Sequence, residues 1–349
     1  MIGLRLLSKW RTAATLVAAV LALPGLAGCT TAALLSANTA VSTPATDTRR
    51  VIDDSYTVSQ RYEANRPAHP ELMQTSIPLE GGARILFNRR YKQIGARELH
   101  ADLFLPAPSK ANGQAVVLIH GGAWMSGDKS NFYTIAARLA ARGYAVILPE
   151  FRLSPEAGYP AALVDVNDAI DWVRGQAKDL DIDPARIAIG GESSGGQMAA
   201  LIAYTGGTSQ FAGEGGTAAR LNALIDLDGV LDFTDPLALR YENANGENSV
   251  AARWLGGSME TAPDRWRESS AASHVGASSP PTLIISGEDA RFTAGREKVI
   301  AALTTHGIPA QHLHFPGLPH TFWLFDPYAQ QVVDAIDAFL SRHAAPAQP

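Results

Sequence analysis

Cysteine is nearly missing. One thiol in 349 residues excludes an intrachain disulfide framework, and no Cys/His cluster stands at zinc-ligand spacing. An excess of positive charge is also missing. The 29 basic residues are outnumbered by 34 acidic ones and the isoelectric point is near 6.0, which removes the electrostatic footprint of a nucleic-acid binder. There is no internal repeat. The longest apolar run, Thr12 to Leu26, is shorter than the roughly 20 residues that a membrane-spanning helix needs. What the chain does have is apolar material, 46% of its residues, enough for one large core or two small ones.

The run at the start has a basic prelude, Arg5, Lys9 and Arg11, and ends at Leu26-Ala27-Gly28-Cys29. That layout is a signal peptide, and its last four residues resemble the lipobox of bacterial lipoproteins. The resemblance implies cleavage before Cys29, a lipid anchor on its thiol, and a place in the bacterial cell envelope. Thr30, where retained lipoproteins often have aspartate, favours the outer membrane. Loss of three basic residues would take the formal charge from −5 to −8. The expected organisation is therefore a signal peptide (1–28), a tether with a possible cover segment (29–79), a catalytic domain (80–343) and a short tail (344–349). Residues Thr30 to about Thr48 are Ala/Ser/Thr-rich with no apolar period, as in a flexible linker.

From Arg84 onward, periodicity takes over. Arg84–Ile94 and Leu99–Leu105 alternate as two strands around a turn at Gly95. Ala115–Ile119, Tyr144–Leu148, Ile187–Ile189, Ala223–Leu227, Thr282–Ser286 and His312–Phe315 are short apolar strands. Helical patterns lie between them over Asn131–Arg142, Ala161–Ala177, the stretch from the 190s to Tyr204, and about Pro327–Arg342. On the Ala161–Ala177 helix, Leu163, Val166, Ile170 and Val173 make an apolar face, with Asn167, Asp168, Asp171 and Arg174 opposite. Alternation of this kind predicts an α/β fold, a mainly parallel sheet with helices on both faces and reactive groups at the strands' carboxyl ends. Residues 231–279, with Trp254 and Trp266, read as part of a small cover over the substrate.

The stretch that organises the rest is Gly191-Glu192-Ser193-Ser194-Gly195. It matches G-x-S-x-G between a β-branched strand and an Ala-rich helix, the setting of a nucleophile elbow. So sharp a turn brings the flanking backbone together, and Gly191 and Gly195 remove side chains that would collide there. Ser193 is the nucleophile in this register, since taking Ser194 instead would put Glu192 where glycine is required. A second loop, His120-Gly121-Gly122-Ala123-Trp124, follows the Ala115–Ile119 strand, and its glycines let amides face a cleft. Gly122 and Ala123, together with the amide of Ser194, are candidate donors to an oxyanion. His120 stands beside that hole, where it orders the loop; it is not opposite the nucleophile, where a base must stand.

Four motifs in this order, His120-Gly121-Gly122-Ala123, Phe151-Arg152-Leu153-Ser154-Pro155-Glu156, Tyr159-Pro160-Ala161-Ala162-Leu163 and Gly191-Glu192-Ser193-Ser194-Gly195-Gly196, resemble the hormone-sensitive-lipase-like and feruloyl-esterase-like branch of the α/β-hydrolases. The chain departs from that family where Ala123 replaces a third glycine and Phe151 a tyrosine. The resemblance implies the α/β-hydrolase fold and a Ser-acid-His triad in that chain order. It places the acid at Asp289, after the Thr282–Ser286 strand, and the histidine at His320 in the loop after the last strand. Asp228, just beyond Ala223–Leu227, is the reserve acid. Structural roles are expected for His306, His312 and His314, and nothing commends His274. Trp124, Phe322 and Trp323 flank the catalytic loops as possible pocket walls.

The implied activity is serine carboxylic-ester hydrolysis of small or medium acyl esters, with acetylated or feruloylated carbohydrates as possible targets. No cofactor, metal or nucleic-acid partner is implied. Amide hydrolysis stays open, because Gly122-Ala123-Trp124 through Gly127-Asp128-Lys129-Ser130 is also similar to kynurenine formamidases. The same motifs leave room for a peptidase of this fold and for a catalytically silent binding protein.

Overall fold

The chain divides into Met1–Thr46 and a second compact unit, Asp47–Pro349. The computed structural model describes residues 53 and 55–343, apart from 217 and 219, all within the second unit. The expected signal peptide and the lipidation site at Cys29 lie outside the described residues.

In chain order the elements are α1 (Val58–Asn65), β1 (Arg84–Ile94), β2 (Arg97–Leu105), β3 (Ala115–Ile119), α2 (Tyr133–Ala140), β4 (Ala145–Pro149), α3 (Ala161–Gly175), α4 (Ala177–Leu180), β5 (Ile187–Glu192) and α5 (Ser194–Tyr204). They continue with β6 (Ala223–Leu227), α6 (Pro236–Asn243), α7 (Val250–Leu255), α8 (Pro263–Glu268), β7 (Thr282–Ser286), α9 (Arg296–Thr305), β8 (Ala310–His314) and α10 (Tyr328–Arg342). The eight strands form one sheet in the order β1-β2-β4-β3-β5-β6-β7-β8. The β1–β2 and β2–β4 pairs are antiparallel and all the others parallel. Chain order reverses at β3, with β4 on one side and β5 on the other. A crevice opens at the carboxyl ends of strands at such a switch point.

Every residue of β3, β5, β6 and β7 is buried, which is why their sequences are mostly apolar without alternation, the buried Glu192 and Asp226 excepted. One face of the sheet packs α3 and α5 through Leu163, Val166, Ile170, Met198 and Leu201. The other packs α2 and α10 through Ile135, Leu139, Val332, Ile336 and Phe339. Each large aliphatic or aromatic side chain taken wholly out of water in this way is worth about 1.5–3 kcal/mol.

The polar face of α3 is not the solvated surface that its pattern predicts. Asp165 and Asn167 are fully buried and Asp168 is 9% exposed. Lys92, reaching across from β1, pairs with Asp165 at 2.8 Å and Asp168 at 2.5 Å. Asn167 donates to the Phe211 carbonyl at 2.8 Å, and Asp168 accepts the Glu214 amide at 2.7 Å. The hairpin and the 211–216 loop cover this face, and each charge they bury finds an opposite charge or an amide.

The weakly patterned segment before residue 80 holds α1, capped by a reciprocal pair of hydrogen bonds between Thr57 and Gln60. It packs on the loop after β8. Asn65 Nδ2 donates to Thr321 Oγ1 at 3.4 Å, and Met73 and Asp326 exchange backbone hydrogen bonds of 2.8 and 2.9 Å. The 231–279 region contains α6, α7 and α8. These helices are too short to show a period, and Trp254 and Trp266 sit in the core at 1% exposure.

Candidate active site

Loops after β3, β5, β6, β7 and β8, at the carboxyl edge of the sheet, build the site. After β5 the backbone of Ser193 takes φ 54° and ψ −122°, a conformation costly for a residue with a side chain and met mainly at functional turns. The turn is held by the Ser193 amide donating to the Leu227 carbonyl at 2.7 Å and by Gln197 N–H donating to the Ser193 carbonyl at 3.0 Å. The glycines are required as their spacing predicts. A Cβ on Gly191 would overlap the Gly195 carbonyl, one on Gly195 would overlap the Ile119 and His120 carbonyls, and one on Gly196 would come within 2.5 Å of Asp226 Oδ1. The half-buried Ser193 thus stands at the amino terminus of α5, where partial positive charge favours an anion.

The loop after β3 approaches so closely that a Cβ on Gly121 would lie 3.0 Å from Ser193 Cβ. It is internally stitched. Met125 and Ser126 both donate to the Gly122 carbonyl at 3.0 Å, Trp124 N–H donates to Ser194 Oγ at 3.2 Å, and Ala123 and Trp124 have φ of 54° and 59°. Among the described residues, the amides of Gly122 and Ala123 have no acceptor. His120 is a loop residue as expected: its ring stacks on Phe151 at 4.5 Å and its Nδ1 meets the Gly121 carbonyl at 2.7 Å.

The loops after β6, β7 and β8 correct the expected acid. His320 Nδ1 lies 3.0 Å from Asp228 Oδ2, not against Asp289. Asp228 has φ 51°, a left-handed turn that swings its carboxylate back over the sheet, where Oδ1 accepts the Gly287 amide at 3.0 Å. Asp289 is exposed, and its carboxylate accepts the Arg291 amide at 3.0 Å, capping a single 3-10 turn. Its loop contributes Phe292 instead, whose ring lies parallel on the His320 imidazole at 3.8 Å. Both aspartates fit the chain order of a triad; what separates them is position, Asp228 lying buried against the imidazole and Asp289 exposed at the surface.

Trp124 lines a cavity of about 50 Å³ together with Ala123, Ser193, Ser194 and Phe292. Trp254 backs it, stacked on Trp124 at 4.7 Å. Phe322 and Trp323 are not walls of this cavity. Both are fully buried, Trp323 meeting His320 edge-on at 5.2 Å and donating its indole N–H to Glu192. Burial holds the Glu192 carboxyl above its usual range, against the opposing pull of Trp323 and the Gly121 amide. His312 and His314 converge on Ser286 Oγ at 2.8 and 3.3 Å, and His274 meets the Glu268 carbonyl at 2.8 Å, all structural positions.

Two residues were not legible beforehand. Asp226, two positions before Asp228, is buried, and its Oδ1 accepts the Gly229 amide at 3.1 Å. Burial and the neighbouring Asp228 charge push its carboxyl up to about 8. Arg291 lines the cavity beside Ser193 while its guanidinium pairs with Glu242, whose side chain is 5% exposed. A larger cavity of about 470 Å³, with polar walls that include Tyr56, Arg97, Asp128, Lys129 and Glu156, opens beside His120.

Residues 101–294, more than half of the chain, match the family model for BD-FAE. Esterase LipC of Mycobacterium tuberculosis is 28% identical over 235 residues, 63% of this chain and 54% of LipC. Versiconal hemiacetal acetate esterase of Dothistroma septosporum is 26% identical over 277 residues, 75% of this chain and 78% of that enzyme. The chain thus spans about half the length of LipC. Among solved structures, a truncated carbohydrate esterase from gut microbiota superposes with a TM-score of 0.64 at 24% identity, over 76% of this chain and all of that one.

Proposed function

The chain belongs to the BD-FAE family, and on that footing we propose that it is a serine carboxylic-ester hydrolase acting through Ser193, His320 and Asp228. The observation that carries this reading is the strained Ser193, set at a helix amino terminus beside a small cavity, with an imidazole held by a buried carboxylate in the adjoining loop. His320 takes the proton of Ser193 as its oxygen attacks the ester carbonyl. The amides of Gly122, Ala123 and Ser194 receive the oxyanion, and charge developing there is stabilised without reorganisation. His320 returns the proton to the departing alcohol, and water then releases the acid from the acyl-enzyme.

The cavity sets the acyl size. About 50 Å³ has room for roughly four water-sized groups, so acetyl to butyryl esters fit and a feruloyl group does not. A relative that acts on an acetate ester, the versiconal hemiacetal acetate esterase, points the same way. On the alcohol side, acetylated carbohydrate is the candidate, a reading supported by the likeness to a carbohydrate esterase from gut microbiota.

The test is a fluorophosphonate label followed by a p-nitrophenyl acyl series. Wild type should be labelled and should cleave acetate to butyrate faster than chains of ten carbons. Ser193→Ala should lose the label and roughly a millionfold in turnover, by analogy with serine proteases. An unlabelled wild type, or Ser193→Ala at wild-type activity, refutes the reading.

A further inference from the structure

The imidazole of His320 has two aromatic neighbours in different geometries. Trp323 stands at 90° to it with ring centroids 5.2 Å apart, the edge-to-face arrangement that neutral aromatic pairs prefer. Phe292 instead lies parallel, at 8° and 3.8 Å. Neutral rings avoid so direct a sandwich and favour centroids about 4.5–7 Å apart; no other ring pair among the described residues is closer than 4.5 Å. The turn that carries Phe292 is well held. It is the 3-10 turn Ala290–Thr293, capped by Asp289, with Phe292 N–H donating to the Asp289 carbonyl at 3.2 Å and Arg291 paired with Glu242 on α6. What makes a face-on contact favourable is a positive charge, because the face of an aromatic ring is the negative end of its quadrupole.

We infer that Phe292 is a positioning residue acting through His320, its ring face holding the imidazolium more tightly than the neutral imidazole and so lowering the barrier to proton transfer. This rests on the ester-hydrolase reading above. In that reading His320 becomes charged when the Ser193 O–H bond breaks and its proton moves to the imidazole, and neutral again when the proton passes to the leaving alcohol. An interaction stronger at the charged stage than before it is the kind that accelerates a reaction. The other charges facing the imidazole are Asp228, 3.0 Å from Nδ1, and the buried Glu192 beyond Trp323. The Arg291 guanidinium, 5.6 Å from the Phe292 centroid, is balanced by Glu242. All of these stay in place when Phe292 alone is replaced, so the contribution of its face can be read by itself.

The experiment is the pH profile of kcat/KM for p-nitrophenyl butyrate, whose acid limb reports protonation of the base in the free enzyme. Wild type is compared with Phe292→Leu and with the protein carrying pentafluorophenylalanine at position 292, which keeps the ring and reverses the sign of its face. With the His320 side chain 21% exposed, a cation–π contact is worth about fivefold. In Phe292→Leu the plateau should fall by about that factor and the midpoint of the acid limb should move down by about 0.7 pH units. The two profiles then merge at low pH, where the free enzyme already carries the charge. The fluorinated enzyme should move further in the same direction. Lost packing or an altered acyl wall would instead lower the profile at every pH and leave its midpoint in place. A midpoint unmoved in the fluorinated enzyme, or moved to higher pH, overturns the inference alone. Wild type that does not cleave the ester fails the hydrolase reading itself.

Discussion

Replacing Asp228 by asparagine tests which carboxylate serves His320. A carboxylate only accepts hydrogen bonds, so with Asp228 Oδ2 at 3.0 Å the Nδ1 of His320 must carry a hydrogen, which leaves Nε2 free to accept the serine proton. Asparagine is nearly the same shape. Its carbonyl can keep the Gly287 amide, a 3.0 Å hydrogen bond to Oδ1 in wild type, which turns its NH₂ toward His320. A donor facing Nδ1 forces the other tautomer, with the hydrogen on Nε2, and the imidazole can no longer act as base. The analogous change in a serine protease lowers turnover about 10⁴-fold without disturbing geometry, equivalent to about 5 kcal/mol at 1.36 kcal/mol per decade. Asp289→Asn removes only a charge from the cap of one exposed turn, where asparagine caps as well as aspartate, so kcat should stay within about threefold of wild type. The assay is steady-state hydrolysis of p-nitrophenyl acetate by wild type and both variants, each checked for an unchanged melting temperature. An inactive Asp289→Asn beside an active Asp228→Asn would refute the assignment, and near-normal activity in both would refute the tautomer argument.

Three further outcomes follow. With the Asp226 carboxyl raised to about 8 from an ordinary 3.8, the unfolded chain loses this proton first. The stability this group contributes then falls as pH rises between those values. Asp226→Asn should therefore gain in melting temperature over wild type on going from pH 5 to pH 8, and a constant difference would show the raised value to be wrong. Val250→Ala enlarges the cavity at a wall position and should shift preference toward hexanoate; an unchanged chain-length profile would mean that the acyl group lies elsewhere. Cys29→Ser should release the protein from the membrane fraction, and a wild type recovered as soluble protein without lipid label would exclude the anchor.

Strands buried on both faces were legible almost to the residue. β3 is a continuous apolar run, and β6 and β7 are nearly so, Asp226 being the charged exception, as expected of strands in the middle of a parallel sheet. The elbow was legible because its glycines answer a local overlap that needs no knowledge of distant chain. Asp228 and the polar face of α3 were not. Each is decided by a partner far along the sequence, Gly287 and His320 for the aspartate and Lys92 for the helix. Asp289 caps its own turn at the surface while Asp228 is turned inward against His320, a difference that residue type alone does not reveal. Trp124 lines the cavity as expected, but Phe322 and Trp323 do not, since proximity in sequence to His320 says nothing about which face of the loop a ring turns to.

The exchange of backbone hydrogen bonds between Met73 and Asp326, with Asn65 on Thr321, ties the front of the described chain to the segment that follows His320. The joint makes residues before 80 part of the mounting for His320, so the shortest autonomous enzyme is longer than its sheet. A protease cutting between Met73 and Arg84 would leave every strand in place and still slacken the base, an inactivation that looks like intact protein by circular dichroism.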